Sequence, residues 1–179
     1  MTAIISKNGE ILQMIYANEE TVVLNTPKDC FSVNDPPKSN MFYRDGWVEM
    51  PAQPSPHFIF DYEIKQWVDP RTLDEIKSQK WAEIKSQRDQ LEFGGFEFDG
   101  GIYDSDQTSQ GRIMGAAIAG VDQVWTLADN TTVELSAAQL QQLYAALQAH
   151  IAGVHERGRI ARQLIFNSET KEQVEEVNL

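Results

Sequence analysis

The sequence predicts an α+β fold, in which a small β-rich N-terminal module precedes a module ordered helix, hairpin, helix, hairpin, long helix. In the first 70 residues, turn dipeptides such as Asn8-Gly9 and Asp45-Gly46 separate short β-prone runs. From Arg71 onward, apolar residues recur with the 3.6-residue period of an amphipathic helix. Two further turn sequences interrupt that period, so the second module contains both helices and strands.

The change of period at Arg71 divides the chain. We expect a β-rich module at residues 1–70 and an α+β module at residues 71–167. Residues 168–179 are expected to form a tail or one more short helix, with Ser168 as its cap. A chain of 179 residues is long enough for a small module joined to a larger one.

The N-terminal module is predicted to contain several short strands. Thr21–Leu24 (TVVL) is predicted as the third strand. The segment TPKDCFSVNDPPKSN that follows has the Pro, Asn, Asp and Ser content of an irregular loop. Pro51–Pro56 has a proline at every second or third position, which favours an extended linker. Strand-like residues then resume over His57–Asp69.

Five aromatic side chains of this module have two interpretations. They could form a sugar-binding or protein-binding face, because exposed aromatic residues often contribute to such faces. A β module this short also needs large apolar side chains for its own core, and we favour that interpretation. The five residues are Trp47, Phe58, Phe60, Tyr62 and Trp67.

The first helix of the second module is predicted to run for about six turns and to bury one face. Asp69 is expected to be its N-cap, with Pro70 at the first helical position, and Gly94-Gly95 is expected to end it. Charged residues of both signs cover the other faces. The predicted buried face contains Leu73, Ile76, Trp81, Ile84 and Leu91.

A hairpin that turns at Asp99-Gly100-Gly101 and a second helix follow. Asp104 precedes a glutamine by three residues, which is the spacing of a capping box, so Asp104 is expected to begin the helix. Gly111, Gly115 and Gly120 would permit close helix packing at some cost in helix propensity. The predicted buried stripe contains Ile113, Met114, Ala117, Ile118 and Val121.

The third helix is predicted to be long and to carry an apolar seam. A second hairpin, which turns at Asp129-Asn130 and has Trp125 as its apolar anchor, precedes it. Ser136 and Gln139 have the capping-box spacing at its start, and it is expected to end at about Phe166. Apolar residues at heptad spacing favour a seam that faces a partner chain. The partner-interface candidates are Leu140, Tyr144, Leu147, Ile151, Val154 and Ile165, and the seam also includes Gly158 and Ala161.

Composition restricts the expected partners. The net charge is -12, and residues 94–135 alone carry one basic and seven acidic side chains. Nucleic acid is not an expected partner, because affinity for phosphates depends on Lys and Arg. A membrane is not expected either, since the longest apolar run is too short to span a bilayer. The single cysteine, Cys30, excludes an internal disulfide.

No group of residues suggests a catalytic, cofactor or metal site, and we expect none of the three. The sequence has no nucleophile elbow and no glycine-rich phosphate loop, although counting carboxylates does not exclude a glycosidase-like pair. Asp99, Asp104 and Asp106 could hold a hard cation, but a turn Asp and a helix-capping Asp explain two of them without an ion. His150 and His155 would lie about 140° apart on an ideal helix, so they would not share a metal.

Three runs of the sequence carry a family resemblance: KWAEIKSQRD, GGFEFDGGIYDSDQTSQGRI and WTLADNTTVELSAAQLQQLYAALQAHIAGVHERGR. Their combination resembles a domain of unknown function found in bacteriophage tail proteins. The resemblance covers roughly residues 71–167, and the part before it is more loosely similar to segments that accompany this domain in tail-fibre and tail-assembly proteins. The matching residues are Asp104, Ser105, Ser109, Gln110, Arg112, Ile113, Trp125, Asp129 and Asn130.

The resemblance implies a non-enzymatic structural component of the phage tail, in the fibre or tail-tip region, that acts through protein–protein packing. Its partners would then be other tail or tail-fibre subunits, or further copies of the chain itself. It would be found in the host cytoplasm during assembly and in the virion tail afterwards. The alternative in the same family context is a tail-fibre assembly chaperone that binds the fibre during folding. A tail-borne polysaccharide hydrolase is the competing enzyme hypothesis.

Overall fold

The computed structural model describes residues 1–179 and divides them into two compact units, Met1–Arg71 and Thr72–Leu179. The predicted α+β class is confirmed, because the first unit is rich in short strands and the second consists mainly of helices. No helix is both long and apolar enough to cross a membrane.

The first unit contains seven strands and one short helix. A three-stranded antiparallel sheet has the order β2-β1-β3, and two hairpins pair β4 with β5 and β6 with β7. The central strand of the sheet buries Ala3, Ile4 and Ile5 almost completely. The elements are β1 (Thr2–Ser6), β2 (Ile11–Ile15), α1 (Glu19–Asn25), β3 (Cys30–Asn34), β4 (Met41–Tyr43), β5 (Trp47–Glu49), β6 (Ile59–Asp61) and β7 (Gln66–Val68).

The strand predicted at Thr21–Leu24 is wrong, because these residues lie in helix α1. The Asn18 side chain caps this helix and accepts a hydrogen bond from the Thr21 backbone N–H at 3.0 Å. Glu19 and Glu20 occupy the first turn, where negative charge is favourable next to the unpaired N–H groups. A cap followed by two acidic residues therefore outweighs the β propensity of two adjacent valines.

The loop predicted around Cys30 is also wrong in part, because Cys30–Asn34 forms strand β3. This strand pairs antiparallel with β1, from Ser6 opposite Cys30 to Thr2 opposite Asn34. The backbone N–H and C=O groups of β3 find their hydrogen-bond partners in β1. Local turn propensities do not reveal such a pairing.

Gly9 and the aromatic residues stabilise the first unit. Gly9 has a φ of 79°, and a Cβ at this position would lie 2.0 Å from the Tyr43 carbonyl oxygen, so only glycine fits. Phe60 is buried, and its ring centroid lies 5.3 Å from those of both Phe42 and Trp67. These contacts favour the core interpretation for Phe60, whereas the other four aromatic residues are half-buried.

The second unit follows the predicted order of helix, hairpin, helix, hairpin, long helix, and adds a short final helix. Its elements are α2 (Leu73–Phe93), β8 (Phe96–Phe98), β9 (Gly101–Tyr103), α3 (Gln107–Ala119), β10 (Gln123–Thr126), β11 (Thr132–Leu135), α4 (Ala137–Asn167) and α5 (Lys171–Glu175).

Three of the four predicted N-caps of this unit are wrong, and one is confirmed. Ser136 and Gln139 form the predicted capping box at the start of α4. Helix α2 is capped by Thr72 instead of Asp69, and Asp69 instead pairs with Arg71 at 2.6 Å. Asp106 rather than Asp104 caps α3, and Thr170 rather than Ser168 caps α5.

Two hydrophobic clusters lie along the long helix α4. The first cluster joins the N-terminal half of α4 to α3 and to both hairpins. The second joins its C-terminal half to α2 and α5, through buried residues such as Ile84 and Ala161. Gly158 lies where α2 crosses, since a Cβ there would be 3.3 Å from the Arg88 side chain. Helix α4 is therefore the common scaffold of the unit.

Candidate interaction surface

The six partner-interface candidates on α4 lie against the interior of the second unit. Leu140, Leu147, Val154 and Ile165 are each 0% exposed. Tyr144 and Ile151 are half-buried and pack on the first hydrophobic cluster. The heptad seam therefore packs on α2, α3, α5 and the hairpins of the same chain, and the interpretation of this seam as a partner-facing surface is wrong.

Helix α3 exposes much of the stripe that its sequence pattern assigned to the core. Ile113 and Ala117 are buried as predicted, together with Ala116. Met114, Ile118 and Val121, by contrast, are 44%, 77% and 56% exposed. Met114 and Ile118 are exposed because they lie on a second apolar face of α3, and only the face that contains Ile113 packs on α4; Val121 lies beyond the end of the helix.

The exposed face of α3 is formed by Gly111, Met114, Gly115 and Ile118, and we call these four residues the α3 outer face. Their spacing places them on one side of a helix. A Cβ added to Gly111 or Gly115 would meet no atom within 4 Å, so neither glycine serves packing inside the chain. Each costs the helix about 1 kcal/mol relative to alanine. The third glycine, Gly120, has a φ of 65° and ends the helix in the left-handed conformation.

A groove of about 490 Å³ lies beside this face, between α3 and strand β10. Asp104 and Arg112 are the charged residues that line the groove, and the half-buried Trp125 also lines it. Gly115 belongs to both the groove and the α3 outer face. The groove is open, and both polar and apolar residues line it.

Ser105 connects the end of α2 with the start of α3. It is completely buried, and its Oγ donates a hydrogen bond to the Glu92 carbonyl oxygen at 2.6 Å. The same Oγ accepts a hydrogen bond from the Gly95 N–H at 2.9 Å. The Gln110 side chain donates to the Ser105 carbonyl oxygen at 2.9 Å. Ser105 and Gln110, which both carry the family resemblance, therefore stabilise the connection between the end of α2 and the start of α3.

Asp106 begins α3, and its carboxylate is held by the residues that follow it. It accepts hydrogen bonds from the Thr108 and Ser109 backbone N–H groups at 2.9 and 3.2 Å, and from the Ser109 hydroxyl at 2.5 Å. These bonds, the Ser109 hydroxyl first, lower the pKa of Asp106, and the nearby positive charge of Arg112 acts in the same direction.

The hairpin residues of the resemblance form a turn. Asp129 accepts hydrogen bonds from the Thr131 hydroxyl at 2.6 Å and from its backbone N–H at 2.9 Å, and these bonds lower the pKa of Asp129. Asn130 has a φ of 66°, a left-handed conformation that asparagine tolerates better than most residues. Trp125 packs on the first hydrophobic cluster. The hairpin motif is thus explained by local folding.

The two histidines of α4 contact the C-terminal end of α2. His150 Nε2 lies 2.9 Å from the Leu91 carbonyl oxygen, and its ring stacks on Phe96. His155 Nε2 lies 2.9 Å from a Glu92 carboxylate oxygen. Both histidines therefore make contacts within the second unit.

The acidic residues considered for a cation have separate roles. Asp106 is the cap of α3, and Asp99 has a φ of 48° in the β8–β9 turn. Asp104 lines the groove beside α3. No group of three or more His, Cys, Asp or Glu side chains is arranged as a metal site. Cys30 is a free thiol in β3.

The second unit is an α+β module in which hairpins alternate with helices around one long helix. Residues 75–178, more than half of the chain, match the family described as Domain of unknown function (DUF4376), and the chain belongs to that family. Among curated proteins and among solved structures, none is significantly similar to it.

Proposed function

We propose that this chain is a non-enzymatic structural component of a phage tail, in the fibre or tail-tip region, that acts by packing against other tail subunits. The resemblance of residues 71–167 to a phage tail domain supplies the context. The observation that carries the packing role is the α3 outer face, together with Val121, since large apolar side chains are exposed there beside two glycines.

Exposed apolar side chains that adjoin one another indicate an interaction surface better than isolated ones do. Ile118 is among the most exposed large apolar residues of the chain, and Met114 lies one turn before it. A second pair, Ile160 and Leu164, lies one turn apart near the end of α4, with exposures of 50% and 53%. Two such surfaces on one unit suit a subunit that has neighbours on more than one side.

Mass spectrometry of purified particles tests this proposal. Particles of the phage or prophage that encodes the chain are purified on a density gradient, and the amount of the chain is compared with that of the major tail proteins. We expect a fixed ratio to the tail proteins across the particle peak. A host cytoplasmic protein of similar abundance serves as the contamination control, and a chain depleted as strongly as this control would refute the structural role.

A tail-fibre assembly chaperone would also use open apolar surfaces, and the same experiment separates the two roles. A chaperone would leave the fibre before the particle matures, so it would be missing from particles but would raise the yield of soluble fibre on co-expression. The Ile118→Gln variant provides a matched comparison. If the α3 outer face binds the fibre, this variant should lose the increase in soluble fibre.

A further inference from the structure

Two glycines of α3 occupy positions where nothing within the chain requires glycine. Gly111 and Gly115 lie outside the left-handed region that Gly120 adopts. Open space lies where their Cβ atoms would be. Glycine weakens an exposed helix, but it also allows the backbone of a second helix to approach closely. Because the exposed Met114 and Ile118 lie beside them, these two positions suit the close approach of a helix from outside the chain.

The α3 outer face changes from small to large side chains along its length. Gly111 lies in the N-terminal half, and Ile118, which is 77% exposed, lies near the C-terminal end. Met114 and Gly115 lie between them. If two such faces pair antiparallel, the large end of each covers the small end of the other. In a parallel pair, the isoleucines would meet at one end and the glycines would leave a gap at the other.

We propose that α3 pairs with α3 of a second copy of this chain, antiparallel, about a two-fold axis near Met114 and Gly115. Ile118 of each copy then packs over Gly111 of the other. The two surfaces are the same patch, as a two-fold interface between identical chains requires. This inference goes beyond the proposed function, because it rests on the α3 surface alone and not on the phage-tail assignment.

Charge and size determine how strong such a pair is. Arg112 is the single charged residue of α3, whereas residues 94–135 as a whole carry seven acidic side chains and one basic one. Two copies therefore repel each other at low ionic strength, and added salt should tighten the dimer by screening that repulsion. A basic partner would show the opposite salt dependence.

The contact area is small. Helix α3 has 13 residues and is about 20 Å long, so the interface covers less than the roughly 800 Å² per partner of a stable complex. We expect a dissociation constant on the order of 10 µM.

Sedimentation of the full chain and of a Gly111→Ala/Gly115→Ala variant tests the proposal through two effects of opposite sign. Alanine should stabilise the isolated fold and shift the unfolding equilibrium toward the native state about fivefold per substitution. The added methyl groups should weaken the dimer and raise its dissociation constant about tenfold. Gly153→Ala is the matched control, because Gly153 is exposed on α4 and open in the same way. It should stabilise the fold and leave the dimer unchanged.

Cross-linking tests the orientation of the two helices. In a Cys30→Ser background, Met114→Cys should form a disulfide between copies, since this residue lies next to the two-fold axis. Ile118→Cys should not form one with itself, because the two copies of residue 118 would lie about 10 Å apart along the helix axis. In a parallel pair both variants would cross-link.

Three results would overturn the proposal. They are a chain that stays monomeric up to about 1 mM, a dimer that the paired glycine variant and Ile118→Gln leave unchanged, and self-cross-linking through Ile118→Cys. A monomeric chain that is present in purified particles would overturn this inference and leave the tail function standing. A dimer with the expected variant effects that is missing from particles would overturn the structural tail function alone.

Discussion

Replacing Ser105 with alanine should destabilise the second unit without changing any surface. The Ser105 hydroxyl donates to the Glu92 carbonyl oxygen at 2.6 Å and accepts from the Gly95 N–H at 2.9 Å. Both bonds are lost in Ser105→Ala, and no water can replace a side chain that is 0% exposed without rearrangement. At about 1 kcal/mol for each net hydrogen bond, the loss is about 2 kcal/mol. For a unit of about 100 residues this corresponds to a fall in Tm of about 8 °C.

Urea unfolding followed by far-ultraviolet circular dichroism measures this loss, because most helical residues belong to the second unit. Ser86→Ala is the matched control, since Ser86 is an exposed serine on α2. There, alanine should be neutral or slightly stabilising because of its higher helix propensity. A loss of less than about 0.5 kcal/mol in Ser105→Ala, equal to the scatter of surface substitutions, would refute a structural role for the hydroxyl.

Three further predictions concern the same unit. Leu147→Ala should lower the free energy of unfolding in urea by about 3 kcal/mol, because Leu147 is fully buried. It should leave the sedimentation behaviour of the folded chain unchanged. A change of assembly with little loss of stability would instead support the interpretation of the seam as partner-facing. Ser136→Ala should cost about 1 kcal/mol by removing the capping box of α4, whereas Ser136→Asp should retain most of the cap; equal losses in both variants would contradict the cap. Asp106 has a lowered pKa in the folded chain, so its contribution is present above the unfolded pKa of about 4 and is lost as the pH falls through the folded value. The stability difference between the native chain and Asp106→Asn should therefore shrink from pH 7 to pH 3, and a difference independent of pH would show that the carboxylate charge is not involved.

The order of elements in the second unit is predictable from sequence because each signal is local. The long apolar periodicity of α4 and the spacing of Ser136 to Gln139 mark a helix and its start. The starts of α2 and α5, which were predicted at the wrong residues, also have local sequence signals. Thr72 precedes Glu75 by three residues, and Thr170 precedes Gln173 likewise, and both pairs form capping boxes. At α2, Asp69 and the proline at position 70 form a competing N-terminal pattern, and the structure selects the capping box.

The wrong predictions for β3 and for the buried face of α3 concern features that depend on contacts between elements distant in sequence. Strand β3 is stabilised by pairing with β1, and no local pattern around Cys30 indicates that partner. In the same way, a periodic pattern shows that Met114 and Ile118 share a face of α3 but not whether that face meets α4. A helix with two apolar faces is ambiguous in sequence, and the structure resolves it because Ile113 packs on α4.

The residues that carry the family resemblance mostly maintain the fold. Ser105 joins helices, Ile113 fills the core and Asp129 forms a turn, so the most recognisable part of the sequence marks a scaffold. A partner has to contact residues that this scaffold leaves exposed. The α3 outer face meets that condition, since its two glycines lower the stability of the helix and contribute no contact within the chain. The residues that contact a partner are therefore expected among the exposed positions next to the motif residues and not among the motif residues themselves. The glycine substitutions on α3 distinguish the stability of the scaffold from the strength of association.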